Sequence, residues 1–256
     1  MDEEVLELAQ QAGHILLENG AEIFRVEETM ERICRHYGVQ SESAFVLSNG
    51  IFMTAGNNRE HTFAKVQQIL VGRTNLAKVM AVNQLSREIA EGKYSVSEAQ
   101  KVLETIVGMP EKRKGVKVLA SGVGSWAFCC LLGGSLYDGL AAFIAGIVLY
   151  IYILQVANPH LSRIVGTIIG SMLVTLICGL AHLSGLGEHM NSMIIGAIMP
   201  LIPGVPFTNG IRDIVNEDYL SGFVRMLDAS LVFFCIAIGV GMGISLLSSV
   251  MGGIVL

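Results

Sequence analysis

From residue 118 to its end the chain carries nine charged residues in 139 positions, whereas residues 1–117 hold 30 of the 39 charges. Charge-free runs of about 20 residues are the length that crosses the hydrocarbon of a bilayer. Two solvents are therefore implied, water for the first part and lipid for the second. Five such runs follow one another. Val118–Tyr137 lies between Lys117 and Asp138, Gly139–Ala157 ends at Asn158-Pro159-His160, and Ile164–Leu186 is interrupted only by His182. Met190–Ile211 is the fourth, and the fifth starts at Leu227 and runs through about residue 250, with Asp228 near its start. The expectation is an α-helical membrane protein. An N-terminal cytoplasmic α/β domain (1–115) precedes a membrane domain of five transmembrane helices (116–256), at about 118–137, 139–157, 164–186, 190–211 and 227–250.

Orientation follows from Lys and Arg in the short loops. Lys112, Arg113, Lys114 and Lys117 precede the first span, Arg163 lies between spans two and three, and Arg212 and Arg225 lie between spans four and five. The alternate loops, "GGSLYD" and "SGLGEHMN", contain neither Lys nor Arg. All basic residues thus fall on one side, which predicts a cytoplasmic N-terminal domain and an outer C-terminus. The start, Met1-Asp-Glu-Glu, is acidic and no short apolar run follows it, so targeting is expected from the first spanning helix. The net charge of −5 gives no basic footprint for nucleic acid. Five cysteines, four of them in apolar runs, show neither metal-ligand spacing nor a disulfide framework and read as small core residues. No metal or cofactor is expected.

Within the fourth run, "MPLIPGVPFTNGIRD" spaces Pro200, Pro203 and Pro206 by three. Proline costs about 3 kcal/mol inside a helix and frees the carbonyl four residues earlier, here those of Gly196, Met199 and Ile202. In lipid such groups are tolerated only when buried in protein or lining a watery cavity. Discontinuous helices of this kind build substrate sites in secondary transporters. Pro203, Gly204, Pro206, Asn209, Arg212 and Asp213 are therefore candidate substrate-binding residues. Arg212 offers a planar fork to a carboxylate, or serves as an anchor on the inner side. Asp213 or Asp228 would take an ammonium group or a coupling proton, with Asp228 the better intramembrane candidate. His182 is a candidate proton relay or a hydrogen-bonded interior histidine.

"PLIPGVPFTNGIRDIVNEDYLSGFVRMLDA" resembles the signature of the threonine/serine exporter (ThrE-like) family, and "LLENGAEIFRVEETMERICRHYG" at residues 16–38 resembles that family's cytoplasmic start. The resemblance runs through nearly the whole chain. It implies a multi-pass protein of the bacterial inner membrane that exports small hydrophilic metabolites. Longer members join this module to a second membrane module. Short members, which this chain resembles, pair with a separate small membrane subunit and are associated with succinate export, the fused ones with threonine and serine. The partners implied are a small-molecule substrate, that second subunit and the bilayer, in an oligomer.

In the N-terminal part, Val5, Leu8, Ala12, Ile15 and Asn19 predict an amphipathic helix over 3–19, stopped by Asn19-Gly20. Ile23, Val26, Met30, Ile33 and Tyr37 predict a second over about 21–37. "SESAFVLSNGIFMTAGNNREHTFAKV" reads as a strand meander with turns at Asn49-Gly50 and Asn57-Asn58. Helices are expected at about 74–91 and 96–107, the latter opened by a Ser95/Glu98 capping box. "GAEIFRVEE" at 20–28 is distinctive but carries no chemistry by residue type. It is either the hinge of a gate or a packing corner. The glycines of "GTIIG" (166–170) and Gly239, Gly241 and Gly243 fit close helix approach, to partners or within the chain.

These features favour a proton-coupled exporter of small carboxylate-bearing metabolites, threonine/serine-type amino acids or C4-dicarboxylates. Chain length leans towards dicarboxylates and residue chemistry towards amino acids. The alternatives are a non-transporting membrane scaffold or sensor, or an embedded enzyme using Asp228, His182 or Asp138. No nucleophile–base pairing supports the last of these, and a non-enzyme is expected.

Overall fold

The computed structural model describes residues 2–39, 41–55, 63–69, 74–110, 112–157 and 160–250. Contacts divide the chain into two compact units: Met1–Pro110 with Gly204–Leu227, and Glu111–Pro203 with Asp228–Leu256.

The first unit opens with α1 (Asp2–Glu18) and α2 (Ile23–His36). The apolar stripes expected of both are buried: Val5, Leu8, Ala12 and Ile15 on α1, and Ile23, Val26, Met30 and Ile33 on α2. Gly13 permits their close approach, since a Cβ there would meet the Met30 sulfur at 2.5 Å. Three antiparallel strands follow in sequential order: β1 (Ser41–Leu47), β2 (Gly50–Ala55) and β3 (Phe63–Gln68). Ser48 and Asn49 make the two-residue turn, pairing Leu47 with Gly50. The second expected turn, Asn57-Asn58, lies outside the described residues. Strand alternation sends Val46, Ile51 and Met53 into the core and leaves Phe45, Phe52 and Val66 exposed. Helices α3 (Leu76–Ala90) and α4 (Val96–Val107) complete this part, α4 beginning in the expected Ser95/Glu98 capping box.

The second unit is helical. It contains α5 (Lys114–Leu131), α6 (Leu136–Tyr152) extended by a π-helical turn (Ile153–Ala157), α7 (Arg163–Leu183) and α8 (Met190–Ile198) with a 3-10 turn (Met199–Leu201). Small residues set its packing. A Cβ on Gly196 would meet the backbone N of Cys129 at 2.7 Å, and one on Gly170 would meet Leu149 at 3.1 Å. Gly146 lies against Ser125 and Gly239 against Ser171, while Ser121 donates to the carbonyl of Gly146 at 2.9 Å. Gly166, Gly170, Gly239 and Gly243 therefore serve packing within the chain, whereas Gly241 faces open space.

Among the described residues three helices are long and apolar enough to cross a membrane: Leu136–Ala157, Arg163–Leu183 and Tyr219–Ser249. There are four if Met190–Leu201 and Gly204–Val215 count as one broken span. Two of the five expected spans are not found as single helices of that kind among the described residues. The first expected span stops at Leu131, because Gly133 turns the chain at φ +87° and Ser135 caps α6 in a box with Asp138. Its uncharged helical part, Val118–Leu131, covers only about 21 Å, short of the roughly 30 Å hydrocarbon core. The fourth expected span is not one helix. The chain leaves helical geometry at Ile202 (φ −66°, ψ 124°), and α9 (Gly204–Val215) starts anew in the first unit. The last helix, α10 (Tyr219–Val250), starts eight residues before the expected span.

Candidate functional site

The prolines interrupt the fourth run without leaving all the expected carbonyls free. Met199 N–H donates to Gly196 O and Ile202 N–H to Met199 O (3.2 Å), so 3-10 bonding absorbs two of the three freed carbonyls. Pro206 is the third residue of α9, where its missing N–H has no intrahelical partner to lose. Pro203 and Gly204 form the join itself. Of the carbonyls expected to be free, those of Gly196 and Met199 are thus hydrogen-bonded within the chain.

What the break provides is a helical hairpin. Asn216–Asp218 turn the chain, with Glu217 at φ +70°. Gly210 and Gly222, six residues either side of Asn216, let α9 and α10 touch through their backbones: a Cβ on Gly222 would meet Gly210 O at 2.8 Å.

The hairpin binds the α1–α2 turn group by group. Gly20 holds φ +83°, and its carbonyl accepts from Asn209 Nδ2 at 2.8 Å. The Ala21 carbonyl accepts from Arg225 Nη2 at 2.9 Å. Glu22, the N-cap of α2, makes no side-chain cap and instead pairs with Arg212. The Ile23 N–H, an orphan donor at the start of α2, donates to Asp213 Oδ1 at 3.3 Å. Asp213 Oδ2 then accepts from Arg225 Nη1 at 2.8 Å. Asp213 is fully buried and Arg225 nearly so, while Arg212 remains 56% exposed. Ser221 adds a contact to the β1–β2 turn, accepting from Ser48 N–H at 3.1 Å. Nearby, burial raises the pKa of Glu27 and of Asp218, although Glu27 also accepts from Val46 N–H at 3.1 Å.

The structure thus unites Asn209, Arg212 and Asp213 with the "GAEI" turn in the first unit, while Asp228 and His182 belong to the second unit and have partners of their own there. Asp228 pairs with Arg163 at 2.7 Å in the second unit. His182 Nδ1 bonds the Gly187 carbonyl at 2.8 Å, closing the turn after α7. Sequence reasoning missed Glu22 and Arg225, the latter read only as a loop cation. The available signal was the placement of Gly210 and Gly222 about "NEDY", which marks a hairpin rather than an interspan loop. Asp138 was considered only as a catalytic acid. It is wholly buried and bonds the backbone N–H groups of Ser135 (2.7 Å), Glu188 (2.7 Å) and His189 (3.1 Å) and the His189 ring (2.9 Å). It clamps the two loops that lack Lys and Arg. Among the described residues no group of three or more His, Cys, Asp or Glu could hold a metal ion.

Comparison with known proteins matches residues 7–247 to the family described as "Putative threonine/serine exporter". Two bacterial relatives align almost end to end. A "Probable succinate transporter subunit YjjP" of Klebsiella aerogenes is 25% identical over 94% of this chain and 93% of its own length. The protein of the same name from Escherichia coli K12 is 24% identical over 94% of each. An uncharacterized protein of Schizosaccharomyces pombe is 24% identical over 69% of this chain but 22% of its own length. No solved structure matches. With both motif regions inside the matched span, the chain belongs to the threonine/serine exporter family.

Proposed function

We propose that this chain is one subunit of an exporter that moves small carboxylate-bearing metabolites out of the cytoplasm. The substrates are threonine/serine-type amino acids or C4-dicarboxylates such as succinate. It works with a second small membrane subunit and draws on the proton gradient. The observation that carries this reading is the family match over residues 7–247, with relatives named as subunits of a succinate transporter that align over nearly their whole length. The distribution of Lys and Arg supports a bacterial inner-membrane location with the N-terminal part in the cytoplasm.

In this reading the hairpin residues divide by exposure. Asn209 and Asp213 are committed to the Gly20 carbonyl and the Ile23 N–H and position the motif. Arg212 is half exposed with one carboxylate partner, so a substrate carboxylate arriving from the cytoplasm can exchange with Glu22. Pro203, Gly204 and Pro206 set where α9 begins.

The test is efflux from cells preloaded with labelled threonine, serine or succinate. The chain is expressed alone, with its candidate small partner, and as Arg212→Ala with that partner. Partner-dependent efflux of one solute, reduced in the variant, supports the reading and names the substrate. Efflux unchanged under every condition contradicts it and favours a non-transporting scaffold.

A further inference from the structure

Within the second unit a cavity of about 280 Å³ opens between the start of α7 and α10. Arg163, Thr167, Asp228, Leu231, Val232 and Cys235 line it. Arg163 Nη1 meets Asp228 Oδ2 at 2.7 Å across 65 residues of sequence, and the two side chains are 58% and 51% exposed. Among the described residues each side chain hydrogen-bonds to the other, while the Arg163 carbonyl accepts from Thr167 Oγ1 at 2.8 Å. A guanidinium has five donors and a carboxylate about four acceptor positions, so both exposed groups can bond a ligand besides each other.

Sequence position strengthens the case. Arg163 is the only Lys or Arg in residues 118–203 and 228–256. On α7 and α10 the other cation, Arg225, is nearly buried and bound to Asp213 and the Ala21 carbonyl, so Arg163 is the one exposed to an anion. A dicarboxylate would want a second cation and would find Asp228 instead. A zwitterion finds both charges it needs, and the apolar wall of Leu231, Val232 and Cys235 suits a short side chain. The cavity lies at the small end of ligand sites, roughly 300–1,000 Å³.

We propose that Arg163 and Asp228 form a two-ended binding site for a small zwitterion, its carboxylate on Arg163 and its ammonium on Asp228. The site rests on the exporter reading and makes the membrane unit, rather than the hairpin, the place where a crossing amino acid is held. A phosphatidylethanolamine headgroup has the same paired charges and is the other source of this chemistry.

The experiment uses the full chain in nanodiscs of phosphatidylcholine and phosphatidylglycerol, with and without phosphatidylethanolamine. Labelled threonine is the probe, and labelled succinate the comparison. Wild type is expected to bind threonine in both lipid mixtures and succinate at least tenfold more weakly, and Arg163→Gln and Asp228→Asn are each expected to weaken threonine about tenfold or more. The exchange Arg163→Asp with Asp228→Arg rebuilds an ion pair and controls for folding. It is expected to keep thermal stability near that of wild type but not threonine affinity. Full affinity in the exchanged protein would make the pair a brace and overturn the proposal. So would threonine binding that is unaffected by either single substitution. Loss of threonine binding only when phosphatidylethanolamine is present would assign the site to lipid and overturn it as well. Efflux separates this from the exporter reading. Transport by Arg163→Gln with an unchanged KM overturns the site alone. A wild type that moves no solute with its partner overturns the exporter reading, and the binding arm still decides the site.

Discussion

Two Arg–Asp pairs among the described residues have nearly equal lengths and opposite surroundings. Asp213–Arg225 (2.8 Å) is buried, and both partners spend further hydrogen bonds on the backbone of the α1–α2 turn. Arg163–Asp228 (2.7 Å) is half exposed, singly bonded and set beside a cavity. A buried pair held to the backbone cannot exchange partners without leaving charge uncompensated, whereas an exposed pair contributes little to stability, about 0–1 kcal/mol, and exchanges readily. Charge alone therefore does not separate structural from ligand-handling residues in this chain. Burial and bonds to the backbone do.

The contrast breaks most sharply at Asp213. Asp213→Ala leaves Arg225 buried without its partner and Ile23 N–H without an acceptor, and should cost about 3–5 kcal/mol. Denaturant unfolding of the detergent-purified chain would read this as loss of the first unit. A change below about 1 kcal/mol would show that the buried pair is no more structural than the exposed one. Next comes Gly222→Ala, whose Cβ would meet the Gly210 carbonyl and the Ile214 N–H at 2.8 and 2.9 Å. Backbone cannot yield as a flexible side chain can, so a loss of about 1–3 kcal/mol is expected. Asn209→Ala removes a single bond to the Gly20 carbonyl and should cost about 1 kcal/mol. Hydrogen exchange at Ala21–Ile23 would show faster opening there and little change in α4.

The smallest effect concerns Glu27, whose pKa is raised chiefly by burial. A carboxyl that binds its proton more tightly when folded makes stability fall as pH rises from its ordinary range through its raised one. Glu27→Gln keeps an acceptor for Val46 N–H and removes the buried charge. Its Tm should be slightly higher at neutral pH, with a flatter dependence on pH above about 4.5. An unchanged slope would place the titration elsewhere.

Much of the fold was legible in the sequence because one periodicity governed each element. The α1 and α2 stripes, the β1–β2 turn (one residue before the expected Asn49-Gly50), the capping box at Ser95 and the third span all follow from local pattern. The failures share a cause. The run Met190–Ile211 looks apolar and span-length, but the residues after Gly204 put Asn209, Arg212 and Asp213 on an amphipathic helix whose partner is the α1–α2 turn, some 190 residues earlier. Hydropathy within a window cannot report a partner that distant. The "GAEI" turn stayed unread for the same reason. Its chemistry lies in three backbone groups, Gly20 O, Ala21 O and Ile23 N–H, which no residue type announces. Arg163 was legible as an inner-side cation. Only Asp228 and the cavity beside it give it a second reading.

The most direct test of the account compares KM and maximal rate of threonine efflux for wild type, Arg163→Gln and Asn209→Ala, each expressed with the partner subunit. The account predicts a KM raised about tenfold or more for Arg163→Gln with its thermal stability nearly intact. For Asn209→Ala it predicts lowered stability and an unchanged KM. An unchanged KM in Arg163→Gln together with a raised KM in Asn209→Ala would contradict it, moving the substrate from the membrane pair to the hairpin.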